Sequence, residues 1–590
     1  MNREQVSSSH LGYLCHAAKI AVVHNVRSKI FTIQNMALID EAPLSASSST
    51  FKACYEAEIE LIDTPMGRYG LCNFSGLTQP GIYRVFLPES GARSYQFTIA
   101  DGAYHRLPYL FLDFVHQLRS GYFTDDLRRP LNVDDGVRSD TGEAWDAVGG
   151  WYDAGDLRKW LAHSTLPALA FLEVAQQLRL PRRTFDQPAG YATDWLTEAA
   201  WGVEYILKLQ DPTTGMIFED VGGGGAGRKG EGMSWWYANH AGCYADNSDN
   251  RFTDNLGASG DERLVRVQYN PIVQYTNIAI LARSYGVYAG ANADFARRCH
   301  RAALAAWDFC QTRLADEAHG WTSVRAWRVG AALELYSAGL LPLEAVETGL
   351  QALLGNFDEQ LGFWTQAATD NEPYRAILHS AQPLIALAKY LEVTPASPSA
   401  ERERVRAMLT ICKQNYIDPM AQTNPYRFIP FGAFSAPATP NELYRPWREP
   451  WLFRYGMPVN HPQQINHGLG GHWMSWAHAL AYVGQLLGER AWTDLAWAQI
   501  EWLLGNNQLD VSVVSGVGYN NPMPHSRFLG TLIGGFMNGF RGTQPDLLEI
   551  DLSREAEWNS TEYWNVPLSN CLMALARLLP AVIPLNHKLG

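Results

Sequence analysis

The order of apolar and polar positions divides the chain into two parts. Up to about residue 100, short β-favouring runs recur at 19–23, 30–33, 57–62 and 95–99. Turn signals such as Pro65-Met66-Gly67 and Pro80-Gly81 separate them, and 79–85 reads as a turn feeding a late strand. This spacing predicts a small β-sandwich of the immunoglobulin type over residues 1–102. Near Tyr104 the period changes, and Leu110, Leu112, Phe114, Val115 and Leu118 fall at helical spacing. Helices are predicted at 107–120, 163–178, 194–210, 272–288, 293–314 and 322–338. Six more follow at 343–354, 375–391, 400–415, 470–487, 491–504 and 566–579. A dozen helices joined by long loops suit an (α/α)6 barrel over residues 103–590; an irregular helical array reads equally well from periodicity alone. The expected fold class is therefore mainly α, behind a small β-sandwich.

Two connections are longer than structural loops usually are. Residues 218–261 contain Gly222-Gly223-Gly224-Gly225 and Trp235-Trp236-Tyr237, and 428–466 hold Trp447, Trp451, Phe453 and Tyr455. Both are candidates to wall a cleft. The glycine run lacks the Gly-Lys-Ser/Thr that a phosphate-binding loop needs. The net charge of −13 argues against nucleic acid or an anionic membrane as partner, and permits a neutral polymer. With 20 Trp and 27 Tyr the chain is rich in rings on which the C–H faces of sugars can stack. The eight cysteines are scattered without a CxxC pair, as reduced thiols are. Residues 1–10 are polar and no run of eighteen apolar residues occurs. As written the chain reads as cytoplasmic, and as periplasmic or secreted only if a leader has been removed.

The stretch from Gly149 to Trp160 carries the most chemistry. Asp153 and Asp156 are separated only by Ala154 and Gly155, with a glycine pair before them and a helix-like run through Lys159 after them. A tight turn there points two acids the same way, close to helix amides that would keep both ionised. Two ionised carboxylates facing a cleft can hold a water and take its proton, which is the base half of an inverting glycosidase. A helix N-cap with acidic first-turn residues has the same spacing.

Further motifs follow in a fixed order. Leu11-Gly12-Tyr13 precedes Ala18 to Val23, Trp201 to Asp211 reads as a helix, and Gly260-Asp261-Glu262-Arg263 marks a later loop. Leu504-Gly505-Asn506-Asn507 leads to Asn521-Pro522-Met523-Pro524-His525-Ser526-Arg527, and Asp551 to Asn565 contains Glu562. With Asp153-Ala154-Gly155-Asp156, these resemble glycoside hydrolase family 9, the cellulase family with an optional N-terminal immunoglobulin-like domain. The resemblance implies an (α/α)6 barrel and hydrolysis of β-1,4 glycosidic bonds with inversion. It also implies Asp156 as general base, Asp153 as its partner in placing the water, and Glu562 as general acid. His525 and Arg527 match residues that hold the sugar, and Tyr152 and Trp473 are further substrate-binding candidates. Trp558, Tyr563 and Trp564 could give Glu562 an apolar setting, while Asp551, Glu555 and Glu557 are rivals for its role.

Departures from the pattern bear on specificity. His525-Ser526 stands where the family has two adjacent histidines, and 466–473 is unusually rich in histidine. Together with the long loops, these features set an exo-acting β-glucosidase or exo-β-glucosaminidase on short cello- or chitosan-oligosaccharides beside the endoglucanase reading. A non-catalytic carbohydrate-binding protein and a barrel-fold epimerase or lyase are the other classes. The implied partner is an oligosaccharide or polysaccharide. No cofactor is required. Calcium is the candidate ion, through Asp246, Asp249 and Asp254. Zinc is disfavoured because His240 and Cys243 have no second local thiol.

Overall fold

The computed structural model describes residues 3–36, 53–121, 132–178, 194–222, 253–395, 399–460, 466–526, 532–553 and 558–580. Its first elements are β1 (Gln5–Ser7), β2 (Gly12–Tyr13), β3 (Ile20–His24), β4 (Ile30–Asn35), β5 (Ala53–Glu58), β6 (Glu60–Thr64), β7 (Gly67–Asn73), β8 (Gly81–Phe86) and β9 (Phe97–Ile99). They form two sheets, ordered β1-β3-β7-β6 and β2-β9-β8-β4-β5. Val6, Tyr13, Val23, Phe31, Ile33, Val85 and Phe97 fill the space between them, the alternate-residue burial expected of a sandwich. The predicted strand at 57–62 is two strands. The chain changes sheet at Ile59, whose side chain drops into the core while its N–H donates to the Lys29 carbonyl at 2.8 Å. Continuous β propensity gives no sign of such a crossing.

The helical part alternates outer and inner helices. Outer α1 (Arg106–Gln117) precedes inner α2 (Leu166–Gln177), and outer α3 (Trp195–Lys208) precedes inner α4 (Pro271–Tyr288). Next come α5 (Ala293–Gln311), α6 (Thr322–Ser337), α7 (Leu343–Leu354), α8 (Gln382–Val393), α9 (Ala400–Cys412), α10 (Gly470–Leu487), α11 (Arg490–Leu503) and α12 (Asn565–Leu578). Each even-numbered helix packs on the next even-numbered one, and α12 returns to α2, so the inner ring closes. The odd-numbered helices pack on its outside. This is the (α/α)6 barrel. The inner helices are buried on every side, so their apolar residues wrap the whole circumference instead of forming one stripe. Helix α8 starts seven residues later than predicted, with Pro383 in the first turn where its missing N–H costs nothing. Among the described residues no helix is long and apolar enough to cross a membrane.

The C-terminal halves of the inner helices converge on a ring of partly buried charge, closed by Lys389 and Glu392. Arg283 bonds Glu173 and Glu334, Lys389 bonds Glu334, and Arg577 bonds Glu173 and Glu392. Two neighbouring arginines hold Glu173 well below the usual carboxylate range despite its burial. Cations at helix C-termini also complement the helix dipoles. Replacing Arg283 with Met breaks the centre of this ring. The variant should lose about 3 kcal/mol in denaturant unfolding.

Candidate active site

The residues that carry the candidate chemistry precede the N-terminal ends of inner helices α2 and α12. Residues 153–160 turn and enter a strand; they do not enter a helix as expected. β10 (Val137–Arg138), β11 (Lys159–Trp160), β12 (Asp220–Gly222) and β13 (Leu264–Arg266) form a small sheet in the order β10-β13-β12-β11. One helical turn, Leu161–Ser164, begins only after it. The turn is closed by the Asp153 N–H donating to the Arg158 carbonyl at 3.0 Å. The Arg158 N–H donates to Asp156 Oδ1 at 3.3 Å, a side-chain closure that aspartate favours.

Buried charges pin this turn from below. The Arg158 guanidinium grips Asp220 through Nε, 3.2 Å from each carboxylate oxygen, and its terminal nitrogen at 2.8 Å, and Arg266 adds a further bond at 2.9 Å. The Lys159 ammonium is fully enclosed and donates to Asp135 at 2.8 Å and to the Ala147 carbonyl at 2.7 Å. Lys159, expected in a helix-like run, is thus half of a structural ion pair. Neighbouring Glu219 is also buried; burial lifts its carboxyl to about 8, although Asn270 donates to it at 2.7 Å.

The other half of the site lies against the turn. Residues Glu562 to Trp564 run as an extended strip with bridge pairings Ala154–Trp564, His525–Glu562 and Met537–Tyr563. The Asn565 N–H donates to the Asp153 carbonyl at 3.1 Å, and the Asn565 amide to the Tyr152 carbonyl at 3.0 Å. A Cβ on Gly155 would lie 2.3 Å from the His525 carbonyl oxygen and 3.1 Å from Glu562 Cγ. The two-aspartate turn, His525 and Glu562 thus meet at one place. Asp153 and Asp156 are almost buried, and Glu562 and His525 are half-buried.

Burial moves Asp153 away from the expectation that both acids stay ionised. Desolvation pushes Asp153 up to about 7, against the opposing pull of Arg158 and the Trp160 N–H, which donates to it at 3.0 Å. His163 Nδ1 lies 3.7 Å from Asp153, and burial drives this imidazole well below its ordinary value, so it stands there neutral. Trp564 donates its indole N–H to the same Nδ1 at 3.4 Å. His163 was not singled out from sequence, where it looked like one position of an apolar helix.

Other candidates fall elsewhere. Trp473, on inner helix α10, is wholly buried, donates to the Ile429 carbonyl at 2.9 Å and packs 4.5 Å from the Trp502 ring. Tyr152 is likewise enclosed, its hydroxyl accepting from Asn132 at 2.8 Å. Both serve the core as seen here and present no face to a sugar. Of the aromatics at 428–466, Phe453 and Tyr455 are core residues and Trp447 is half-buried. Tyr563 points to the opposite side of its strip from Glu562, toward Phe114, whereas Trp564, two residues on, lies on the Glu562 side. Asp551 closes a turn onto Ser553. Arg527, Trp235, Trp236, Tyr237, His240, Cys243, Asp246, Asp249, Glu555 and Glu557 lie outside the described residues. Asp254 joins an acidic group with Asp134 and Asp261, whose carboxylate oxygens lie within 4.8 Å of one another. Such hard oxygen donors suit a divalent cation.

Residues 104–532 match the family model described as glycosyl hydrolase family 9. The chain belongs to glycosyl hydrolase family 9. It is accordingly a glycosidase. Among structures it resembles a metagenome-derived family 9 endoglucanase at TM-score 0.69 and 16% identity, covering 98% of this chain and 99% of that one. A family 9 protein of Bacteroides ovatus gives TM-score 0.66 at 17% identity, covering 97% and 98%. A cellodextrinase of Butyrivibrio fibrisolvens is 24% identical over 225 residues, 35% of this chain and 38% of that relative's length.

Two outcomes follow from the geometry. Gly155→Ala places a methyl group against the His525 carbonyl and should lower kcat by about tenfold or more, with circular dichroism unchanged; full activity would show that the turn can retreat. Asp153→Asn keeps the acceptor for the Trp160 N–H and removes the buried charge. Because the folded-state value of Asp153 lies above its ordinary 3.8, its ionisation opposes folding increasingly as pH rises from about 4 through 7. Melting curves should therefore show the variant gaining Tm over wild type, more at pH 8 than at pH 4.

Proposed function

We propose that the protein is an inverting glycoside hydrolase that cuts β-1,4 bonds in glucans and cello-oligosaccharides. Residues 103–590 form its catalytic unit and residues 1–102 a sandwich that braces it. The observation that carries this reading is the shared contact at Gly155, which brings the two-aspartate turn and Glu562 to one place. An inverting enzyme needs a base and an acid that share one glycosidic bond, with room between them for water. Asp156 takes a proton from that water as its oxygen attacks the anomeric carbon, and Asp153 helps orient it. Glu562 donates a proton to the departing sugar oxygen as the C–O bond breaks. His525, on the same surface, holds the sugar beside that bond, and Arg527 two residues on completes the grip.

The endoglucanase and cellodextrinase relatives support a β-linked glucan as substrate. No cofactor takes part in these steps. The Asp134–Asp254–Asp261 group is of the kind that holds calcium, in a structural capacity only.

Leaving-group dependence separates the two roles. With cellopentaose, Glu562→Gln and Asp156→Ala should each lower kcat by about 10²–10⁴-fold. With cellobiosyl fluoride, which leaves without protonation, Glu562→Gln should recover most of its rate and Asp156→Ala should stay inactive. No recovery for Glu562→Gln would remove that residue from the acid role.

A further inference from the structure

The loop that delivers His525 is moulded around a histidine of the β-sandwich. His10 lies between β1 and β2, and its side chain is wholly buried. Its backbone N–H donates to the Leu504 carbonyl at 2.8 Å, at the end of α11. The Tyr519 N–H donates to His10 Nδ1 at 3.1 Å, so Nδ1 is the acceptor and the ring proton sits on Nε2. Nε2 lies 3.0 Å from Asp510 Oδ1 and donates to it. Both ring nitrogens of one sandwich residue are thus spent on a single barrel loop.

The loop is shaped to fit this ring. A Cβ on Gly505 would fall 2.2 Å from His10 Cδ2, and one on Gly518 2.8 Å from His10 Cβ. Both glycines have positive φ, +120° and +73°, so the chain bends around the imidazole in a way that other residues resist. Tyr519 and Tyr95 of the sandwich stack at 4.3 Å, and each meets His10 edge-on.

Two routes lead from this grip to Glu562. Along the chain, the Asn521 amide ties the loop to the carbonyls of Ser512, Val514 and Val517, and four residues later His525 pairs with Glu562. Across the chain, the Met537 N–H donates to the Val513 carbonyl and Val514 bridges Phe536. The same segment holds the acid strip: the Asn538 N–H donates to the Glu562 carbonyl at 2.9 Å, and the Trp564 N–H to the Phe536 carbonyl at 2.8 Å.

We infer that His10 is a positioning residue of the reaction, fixing from the sandwich the loop and strip that aim Glu562 at the leaving oxygen. The inference rests on Glu562 being the acid. A displaced acid harms substrates whose leaving group must be protonated and spares those that leave unaided. A mere loss of folded enzyme lowers both rates equally.

The test is steady-state kinetics of the full chain on cellopentaose and cellobiosyl fluoride, with wild type, His10→Ala, Asp510→Ala, Glu562→Gln and Arg490→Ala. Arg490 is the control: it holds the sandwich elsewhere, donating to the His16 carbonyl at 2.6 Å from a largely exposed side chain. His10→Ala should lower kcat on cellopentaose by about tenfold or more, with little change on the fluoride. Asp510→Ala should move the ratio of the two rates in the same direction by less, and decides the matter alone should His10→Ala fail to fold. Arg490→Ala should leave the ratio unchanged. Equal losses on both substrates for the loop variants, or the same ratio shift for Arg490→Ala, would overturn the role of His10. A Glu562→Gln enzyme without leaving-group selectivity would instead overturn the acid assignment.

Discussion

The gap between the acidic turn and the strip bearing Glu562 is narrower than a methyl group. At Gly155 any side chain would enter the van der Waals shell of the His525 carbonyl. The proposed pairing of Asp156 with Glu562 depends on that approach. Peptide segments far apart in sequence, around residues 155, 525 and 562, are locked by main-chain pairing, and main-chain pairing tolerates little displacement. The site is therefore rigid in its backbone before any substrate arrives, which spares the reaction the cost of assembling it.

Around that contact the barrel arranges charge by its helix ends. N-termini of the inner helices lie toward the acids, and their C-terminal halves carry Arg283, Lys389 and Arg577 in a closed network with three glutamates. Beneath the turn, Arg158 and Lys159 are each enclosed and paired. Buried pairs of this kind contribute little net stability when intact, and are costly when half is lost. Their effect here is geometric: adjacent residues of the turn are tied in place through Asp220 and Asp135. Asp153 sits above this layer in a setting dry enough to raise its carboxyl, so the same burial that holds the turn also shifts its protonation.

Much of the fold was legible because helical periodicity persists over long segments. The predicted 322–338 and 470–487 agree with α6 and α10 to within a residue. The misreadings share a cause. Ile59 crosses between sheets without any break in β propensity. Residues 157–160 have helix-forming composition, yet pairing with β12 makes Lys159 and Trp160 a strand. Trp473 and Tyr152 looked like sugar platforms because aromatic residues near catalytic motifs often are. Trp473 belongs to an inner helix that buries its whole circumference, and sequence does not tell an inner helix from a surface one with a broad apolar face. Asp153-Ala154-Gly155-Asp156 and Glu562 were legible as motifs. Their meeting was expected only through the family resemblance, since it depends on pairings across some four hundred residues. His163 and His10 were invisible for the same reason.

The central claim is that water, activated at the acidic turn, attacks from the face opposite the bond that Glu562 protonates. Proton NMR during the first minutes of hydrolysis of a β-linked cello-oligosaccharide tests it directly, before the new reducing ends equilibrate. The α-anomer should appear first, with the β-anomer growing only at the rate of mutarotation. Initial formation of the β-anomer would mean that one of the carboxylates attacks the sugar itself, and the account would fail.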